Sequence, residues 1–565
     1  MDSSEAAKAR TATPAAGHLY AWGFAGMEKD RVLPVASAAV DTAGHCCYPA
    51  PLHFSKPAGS SVAAATGRHT IPLFVSVSAD VNTVAAVDVD GRLWAWTGGG
   101  GSSLPSYPMP HDAAGAPVKL AAAGNGFVVY VTSSPAPPSS ATGVRGGGVG
   151  GGGDAVFVLG NAPSGHSASA ATAARGSTNA AHPSLLSLGV YPQGVRQVAA
   201  AHRSLLFLLH DGSVWSWAES ILVSGTGRVT AVPPAATTYG VSPAAVDPVR
   251  LESPTEVEFI AVGARQAAAI TTAGDLFTWG DGLSGNTGLG ARIACLHPTT
   301  VPRLITPAEG GPNLAPPPRP VYVACTRGQD GCKRIDPVKA FHPDWFDAAT
   351  GTATVPTAKI AAGQEGPRCH VVCADGSLWI AGTTHKGLAA DHLNKVMQPE
   401  ADCLQFYRVG GRAVDAGVSN PVWTGAAEDL RPSDSHRGDA SPSASAEALS
   451  HGLTNDVIAR RLGMTSVDQF GRGGSTGYLS STRVVASIPG HIHSVALSDD
   501  GRLFGWGCGS DGRLGLKAFM RGPGGSKRTM KCYVSTPSLV EALEHRRVLD
   551  VALGRYATFA IVAAA

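Results

Sequence analysis

The 565-residue chain is poor in charge, and what it has nearly cancels. Charged residues make up 15 %, with 44 Lys+Arg against 42 Asp+Glu and a formal net charge of +2. Such a balance offers no broad attraction to nucleic acid or to an anionic membrane. No run of about 20 apolar residues occurs, so no segment reads as a bilayer-spanning helix. Residues 1–17 are Ala-rich and carry Asp2 and Glu5 beside Lys8 and Arg10, without the apolar stretch of a secretory signal. The 10 cysteines are irregularly spaced, which excludes a disulfide scaffold and suits a reducing compartment. Neither a Gly-x-x-x-x-Gly-Lys-Ser/Thr phosphate loop nor a His-Glu-x-x-His pair is present. From these absences we expect a cytoplasmic protein with no metal, no cofactor, no direct nucleic-acid binding and no membrane association.

Glycine (70) and proline (40) are plentiful, as turn-rich all-β chains and loop inserts both require. The chain also repeats itself. One half of the unit is an Asp-Gly or Gly-Asp turn followed by a short aromatic strand. It reads Asp90-Gly91-Arg92-Leu93-Trp94-Ala95-Trp96, Asp211-Gly212-Ser213-Val214-Trp215-Ser216-Trp217 and Gly274-Asp275-Leu276-Phe277-Thr278-Trp279-Gly280. Further copies are Asp375-Gly376-Ser377-Leu378-Trp379 and Asp500-Gly501-Arg502-Leu503-Phe504-Gly505-Trp506-Gly507, with weaker ones at His18–Gly23 and Asp154–Gly160. Apolar runs before and after such a turn predict a tight hairpin, because Asp and Gly tolerate positive φ.

The other half is a β run entering a small-residue turn. We place it at Val62–Thr70, Val118–Gly124, Val195–Arg203, Phe259–Arg265, Ile360–Gly363, Val484–Gly490 and Val548–Gly554. Both halves occur seven times, but they are offset. The chain opens on an aromatic strand with nothing before it, and closes on Val548–Val562 with no aromatic strand after it. Joining the two ends completes a seventh sheet and removes the exposed edges of an open array. The expected fold is therefore an all-β, seven-bladed β-propeller closed by pairing of N- and C-terminal strands in one blade. Residues 1–17 form a short extension and 18–565 one propeller. Long disordered inserts are expected near 133–153, 161–190, 306–358, 425–450 and 517–531, with a short helix over Ala446–Leu462.

These residues resemble the regulator-of-chromosome-condensation repeat family. Its units run small-Gly-x-x-His-Thr, then Asp-Gly-x-aromatic-x-Trp-Gly, then Gly-x-Leu-Gly. The last piece stands here at Trp279–Gly290 and at Trp506–Leu516. The resemblance implies a seven-bladed propeller, in agreement with the count of repeats.

No catalytic constellation stands out. His69 and His493 occupy the repeat's His position and read as turn hydrogen-bonders. Cys369-His370-Val371-Val372-Cys373 looks like a metal motif, but on a strand both cysteines share a face with Val371 and not with His370. Arg68, Arg203 and Arg265 precede the His position in three units, so they are expected on one ring at one end of the propeller. Guanidinium groups suit carboxylate recognition, which makes these three candidate partner contacts. Lys527, Arg528 and Lys531, in the basic insert, form a second candidate surface. The function expected is a non-catalytic protein–protein interaction scaffold, a monomer with a protein partner. The alternatives are a guanine-nucleotide exchange factor for a small Ran-like GTPase and an organellar ribosome or RNA assembly factor.

Overall fold

The computed structural model describes residues 15–24, 33–40, 44–54, 71–98, 104–105, 108–111, 116–133, 153–160, 185–202, 204–218, 248–264, 266–280, 282, 285–290, 293–301, 319–327, 346–347, 352–354, 368–383, 403–410, 482–509, 512–516 and 533–564. The described strands form seven four-stranded antiparallel blades, each laid down from an inner strand outward. Blade 1 is composite. Its inner and second strands, Val548–Leu553 and Ala557–Ala563, come from the C-terminal end, and its third and outer strands, Gly17–Phe24 and His45–Pro51, from the N-terminal end. Blades 2 to 7 start with inner strands Phe74–Asp80, Val118–Gly124, Val195–Ala201, Val257–Val262, Pro320–Cys325 and Val484–Pro489. A single bridge, Gly17 to Phe74, ties blade 1 to blade 2. The outer strand of blade 5, Ile293–Thr300, carries an extra hairpin, Phe346–Asp347 with Thr352–Thr354.

Gly17 to Gly23 pair in unbroken register with Ala563 back to Ala557, so the first and last strands of the chain share one blade. Each inner strand touches that of the next blade, from blade 2 to blade 7 and on through blade 1 back to blade 2. Both ends of the chain thus find backbone partners where an open array would expose strand edges.

The aromatic spacing explains the packing. Residues i and i+2 of a strand face the same way, and the third strand of every blade uses this. Tyr20, Trp94, Phe157, Trp215, Phe277, Trp379 and Phe504 hold one equivalent position by register with the second strand. Two residues on stand Trp22, Trp96, Trp217, Trp279 and Trp506, all essentially excluded from solvent. Blade 3 has Leu159 there and blade 6 has Ala381. Burying one such indole stabilises the fold by about 4–6 kcal/mol on area.

Every inner strand also carries the same irregularity. Its register with the second strand slips at the second residue, between Phe74 and Ser76, Val118 and Leu120, Val195 and Gln197, Val257 and Phe259, Pro320 and Tyr322, Val484 and Ala486, and Val548 and Asp550. A bulge repeated seven times re-aims one side chain per blade toward the end of the ring.

Two expectations need correction. The inner strand of blade 2 is Phe74–Asp80, joined to Thr83–Asp88 by the turn Val81-Asn82, and not Val62–Thr70. In blade 6 it is Pro320–Cys325, paired with Arg368–Cys373, and not Ile360–Gly363. Alanine-rich runs ending in glycine imitated inner strands in both places. The true strand of blade 2 is interrupted by Ser76, Ser78 and Asp80, and that of blade 6 is separated from its partner by residues 326–367. The stretches 161–190 and 306–358 accordingly contain strands, among them Leu185–Tyr191, the outer strand of blade 3. Residues 134–152, 425–450, 517–531 and the helix expected over Ala446–Leu462 lie outside the described residues.

Candidate interaction face

One end of the ring collects the Asp-Gly turns, which join second strands to third strands, and the starts of the inner strands. The turn carboxylates are engaged locally. Asp375 accepts from Ser377 N at 2.9 Å and from its Oγ at 2.6 Å, and Asp211 does the same with Ser213 at 2.9 and 2.6 Å. The Ser213 hydroxyl bond holds the Asp211 carboxyl below its ordinary range. Asp500 accepts from Ser498 Oγ and, at 2.6 Å, from Arg502 Nε.

In blades 3, 5, 6, 7 and 1 the residue before the inner strand sits on the turn glycine of the preceding blade. In three successive blades that residue is arginine: Arg319 against Gly274, Arg483 against Gly376, and Arg547 against Gly501. Gly376 and Gly501 have φ of +82° and +84°, and a Cβ there would come within 2.4 and 2.5 Å of the Cγ of Arg483 and Arg547. Glycine is needed at both for conformation and for space. The backbone is pinned on both sides of each arginine. Arg483 O accepts from Asp499 N at 3.0 Å while Val484 N donates to Gly376 O at 3.1 Å. Arg547 O accepts from Ala563 N at 2.8 Å while Val548 N donates to Gly501 O at 2.9 Å.

Two residues past each arginine is the bulge residue, separated by one buried anchor. The three sequences are Arg319-Pro320-Val321, Arg483-Val484-Val485 and Arg547-Val548-Leu549. Val321 and Val485 are 45 % and 40 % exposed, and Leu549 is half-buried. Arg319 is engaged, donating to Glu258 at 3.1 Å and to Thr272 O at 2.5 Å. Arg483 and Arg547 are exposed, and their guanidinium groups make no hydrogen bond or ion pair among the described residues.

The arc formed by blades 3 to 5 differs. Its bulge residues are Lys119, Arg196 and Glu258. Lys119 pairs with Asp154 at 2.7 Å, and Glu258 takes Arg196 at 3.7 Å and Arg319 at 3.1 Å. One arc of the face satisfies its own charges; the other presents free arginines beside bare aliphatic side chains.

The opposite end holds the turns from inner to second strand. Arg203 and Arg265, which in sequence separate the inner and second strands of blades 4 and 5, lie outside the described residues, as do Arg68, Lys527, Arg528 and Lys531. Arg68 is not equivalent to the other two, because the matching turn of blade 2 is Val81-Asn82.

At the repeat's His position a buried polar belt stitches blade to blade. Gln266 Nε2 donates to Arg368 O at 3.1 Å, an Arg368 guanidinium nitrogen to Gly490 O at 2.6 Å, and His493 lies 3.1 Å from Thr558 Oγ1. Burial, then Arg513, Arg368 and His491, hold His493 well below the ordinary histidine range, so it is neutral at pH 7. His370, likewise neutral by burial, stacks on Trp506 while Cys369, Val371 and Cys373 share a core cluster on the other face. Among the described residues no three His, Cys, Asp or Glu side chains group to hold a metal ion. A cavity of about 10 Å³ between blades 1 and 2, lined by Phe24, Val81 and Tyr556 among others, has room for one water. Across the axis, Arg327 of blade 6 donates to Ser78 Oγ at 3.1 Å and Ala79 O at 3.4 Å of blade 2.

Residues 500–561, which span the last Asp-Gly turn and the C-terminal strands of blade 1, match the family model for the regulator of chromosome condensation (RCC1) repeat. No curated protein matches the sequence to a significant degree. Among solved structures, Prp20p from Saccharomyces cerevisiae, described with its binding to Gsp1p and histones, is 12 % identical with a TM-score of 0.54, covering 98 % of this chain and 93 % of that one. Yeast RCC1 (Prp20) bound to Kap60 gives 12 % and 0.54, over 100 % of this chain and 93 % of that one. Human WBSCR16 gives 14 % and 0.50, over 97 % and 98 %. At such identities the likeness is one of fold. The protein is a β-propeller. The repeat over residues 500–561 is of the regulator-of-chromosome-condensation type.

Proposed function

We propose that this chain is a non-catalytic protein–protein interaction scaffold that receives its partner on the end of the ring carrying the Asp-Gly turns. The observation that carries the reading is the division of that end. The charged bulge residues of blades 3 to 5 are all paired, Glu258 with Arg319 of blade 6 as well as with Arg196, whereas Arg483 and Arg547 of blades 7 and 1 are unengaged beside exposed Val321 and Val485. Exposed guanidinium groups next to aliphatic surface are the composition of a recognition patch. A rigid ring supports the reading too, since it holds many loops in fixed relation while leaving their sequences free to vary.

Cross-linking of the intact chain in cells followed by mass spectrometry tests this. A stoichiometric protein partner with cross-links to blades 6, 7 and 1 is expected. Cross-links confined to the insert around Lys527 and Arg528, or to the turns holding Arg203 and Arg265, would move the site to those surfaces. Prp20p, the similar fold, is described as binding Gsp1p; this chain is expected not to accelerate nucleotide release from a Ran-like GTPase. Clear stimulation at catalytic protein amounts would replace the scaffold reading with an exchange-factor one.

A further inference from the structure

Resting on that reading, we infer that the arc of blades 6, 7 and 1 binds an extended acidic–aliphatic segment of a partner protein, its carboxylates on Arg483 and Arg547 and its aliphatic side chains on Val321, Val485 and Leu549. The juxtaposition is periodic. Each blade of the arc carries an arginine and, across one buried anchor, an aliphatic bulge residue; Arg319 is held by Glu258, and Arg483 and Arg547 are the two on offer. Packed sheets lie about 10 Å apart, which sets the step between equivalent positions of neighbouring blades. A segment in polyproline II form brings the same side round every third residue, a rise of about 9 Å. An acid at every third position, with aliphatic residues between, therefore keeps step with the blades.

Charge and preparation both favour this occupant. The carboxylates of the Asp375 and Asp500 turns are engaged by hydroxyl, amide and guanidinium donors, so they do not neutralise Arg483 or Arg547. The arginine stems are braced on glycine and the flanking peptide groups are hydrogen-bonded, which reduces the freedom lost on binding. Guanidinium groups bind carboxylates through paired N–H donors. A nucleic-acid strand is the poorer fit. The exposed valines offer its sugar-phosphate backbone nothing to pack against.

The test is selection of a random peptide library displayed on phage against the full chain, followed by affinity measurement with the selected peptides. Enrichment of acids at three-residue spacing with intervening aliphatic residues is expected. Arg483→Gln with Arg547→Gln should weaken those peptides about ten-fold, and Val321→Ser with Val485→Ser about five-fold. Both double variants should melt as the parent does, since the altered groups are exposed. No enrichment, enrichment of basic or purely apolar peptides, affinity untouched by either double variant, or a single-stranded oligonucleotide that outcompetes the selected peptides would each overturn the inference. A cross-linked cellular partner that persists on the Arg483→Gln/Arg547→Gln protein would sink this inference while leaving the scaffold reading intact. Absence of any stoichiometric partner would sink the scaffold reading itself.

Discussion

Thr558 joins two blades through a single hydroxyl. It donates to Arg513 O at 2.8 Å, and having one proton it must accept from His493, 3.1 Å away. That fixes neutral His493 with its proton on Nε2. Thr558→Val preserves shape but leaves this N–H buried without an acceptor. A loss of about 1–3 kcal/mol is expected in chemical denaturation, and an unchanged midpoint would show the belt to be ornamental. Asp550, half-buried on the inner strand of blade 1, accepts from Val77 N and Val551 N, both at 2.9 Å. Burial lifts its carboxyl to about 6. The folded chain therefore keeps a proton that the unfolded chain releases near pH 4. The contribution of Asp550 to stability should fall as pH rises from about 4 to about 6, then level off. Asp550→Asn should lack that dependence, so the gap between the two melting temperatures changes only in this window. Neither residue's role was legible in the sequence, because both depend on which blades become neighbours. The hydrogen-bonding role of His493 was legible, since a repeat position filled by Phe127, Ser204 and Gln266 elsewhere serves packing and hydrogen bonding.

At the scale of the strand, the aromatic hairpins were readable because turn and pleat both leave marks: Asp-Gly where φ turns positive, aromatics at every second residue. All seven third strands lie where that pattern puts them. The inner strands were harder. Their bulge breaks the two-residue alternation, and their small residues are shared with loops, so Val62–Thr70 and Ile360–Gly363 imitated them. The same bulge hid the proposed recognition patch. Runs starting at Val484 and Val548 were recognised from their apolar character, yet each begins one residue after the arginine that matters. Aligning the strands by their bulges brings Arg319-Pro320-Val321, Arg483-Val484-Val485 and Arg547-Val548-Leu549 into register. The turn glycine beneath each arginine can be tested. Gly501→Ala forces a side chain into left-handed backbone and against the Arg547 stem, 2.5 Å away. A destabilisation of about 1–2 kcal/mol from conformation alone is expected, together with weaker capture of the selected peptides. Unaltered stability and capture would mean that the stem is not braced there.

For the molecule, the number of blades and the meeting of the two chain ends followed from counting unequal halves of a repeat, an argument indifferent to loop length. What the count could not supply was which end of the ring matters, since that rests on pairing of individual charges. The composite blade makes a prediction of its own. Deleting residues 1–24 removes the strand that pairs with Ala557–Ala563 and bares a long apolar edge. The truncated chain should lose its cooperative melt and aggregate, and a synthetic peptide of residues 15–24 added in trans should recover part of it. A truncated chain that melts like the parent would mean that the ring does not depend on its latch.

The latch also bears on how the protein is made. During synthesis residues 17–24 emerge long before their mates, residues 557–563, so one edge of that strand, paired on its other side with His45–Pro51, must wait while blades 2 to 7 are made. Blades 2 to 7 can assemble one after another in the meantime, each from its own contiguous stretch of chain. A product cut short before residues 557–563 therefore leaves the inner-facing edge of residues 17–24 unpaired and open to pairing with another chain.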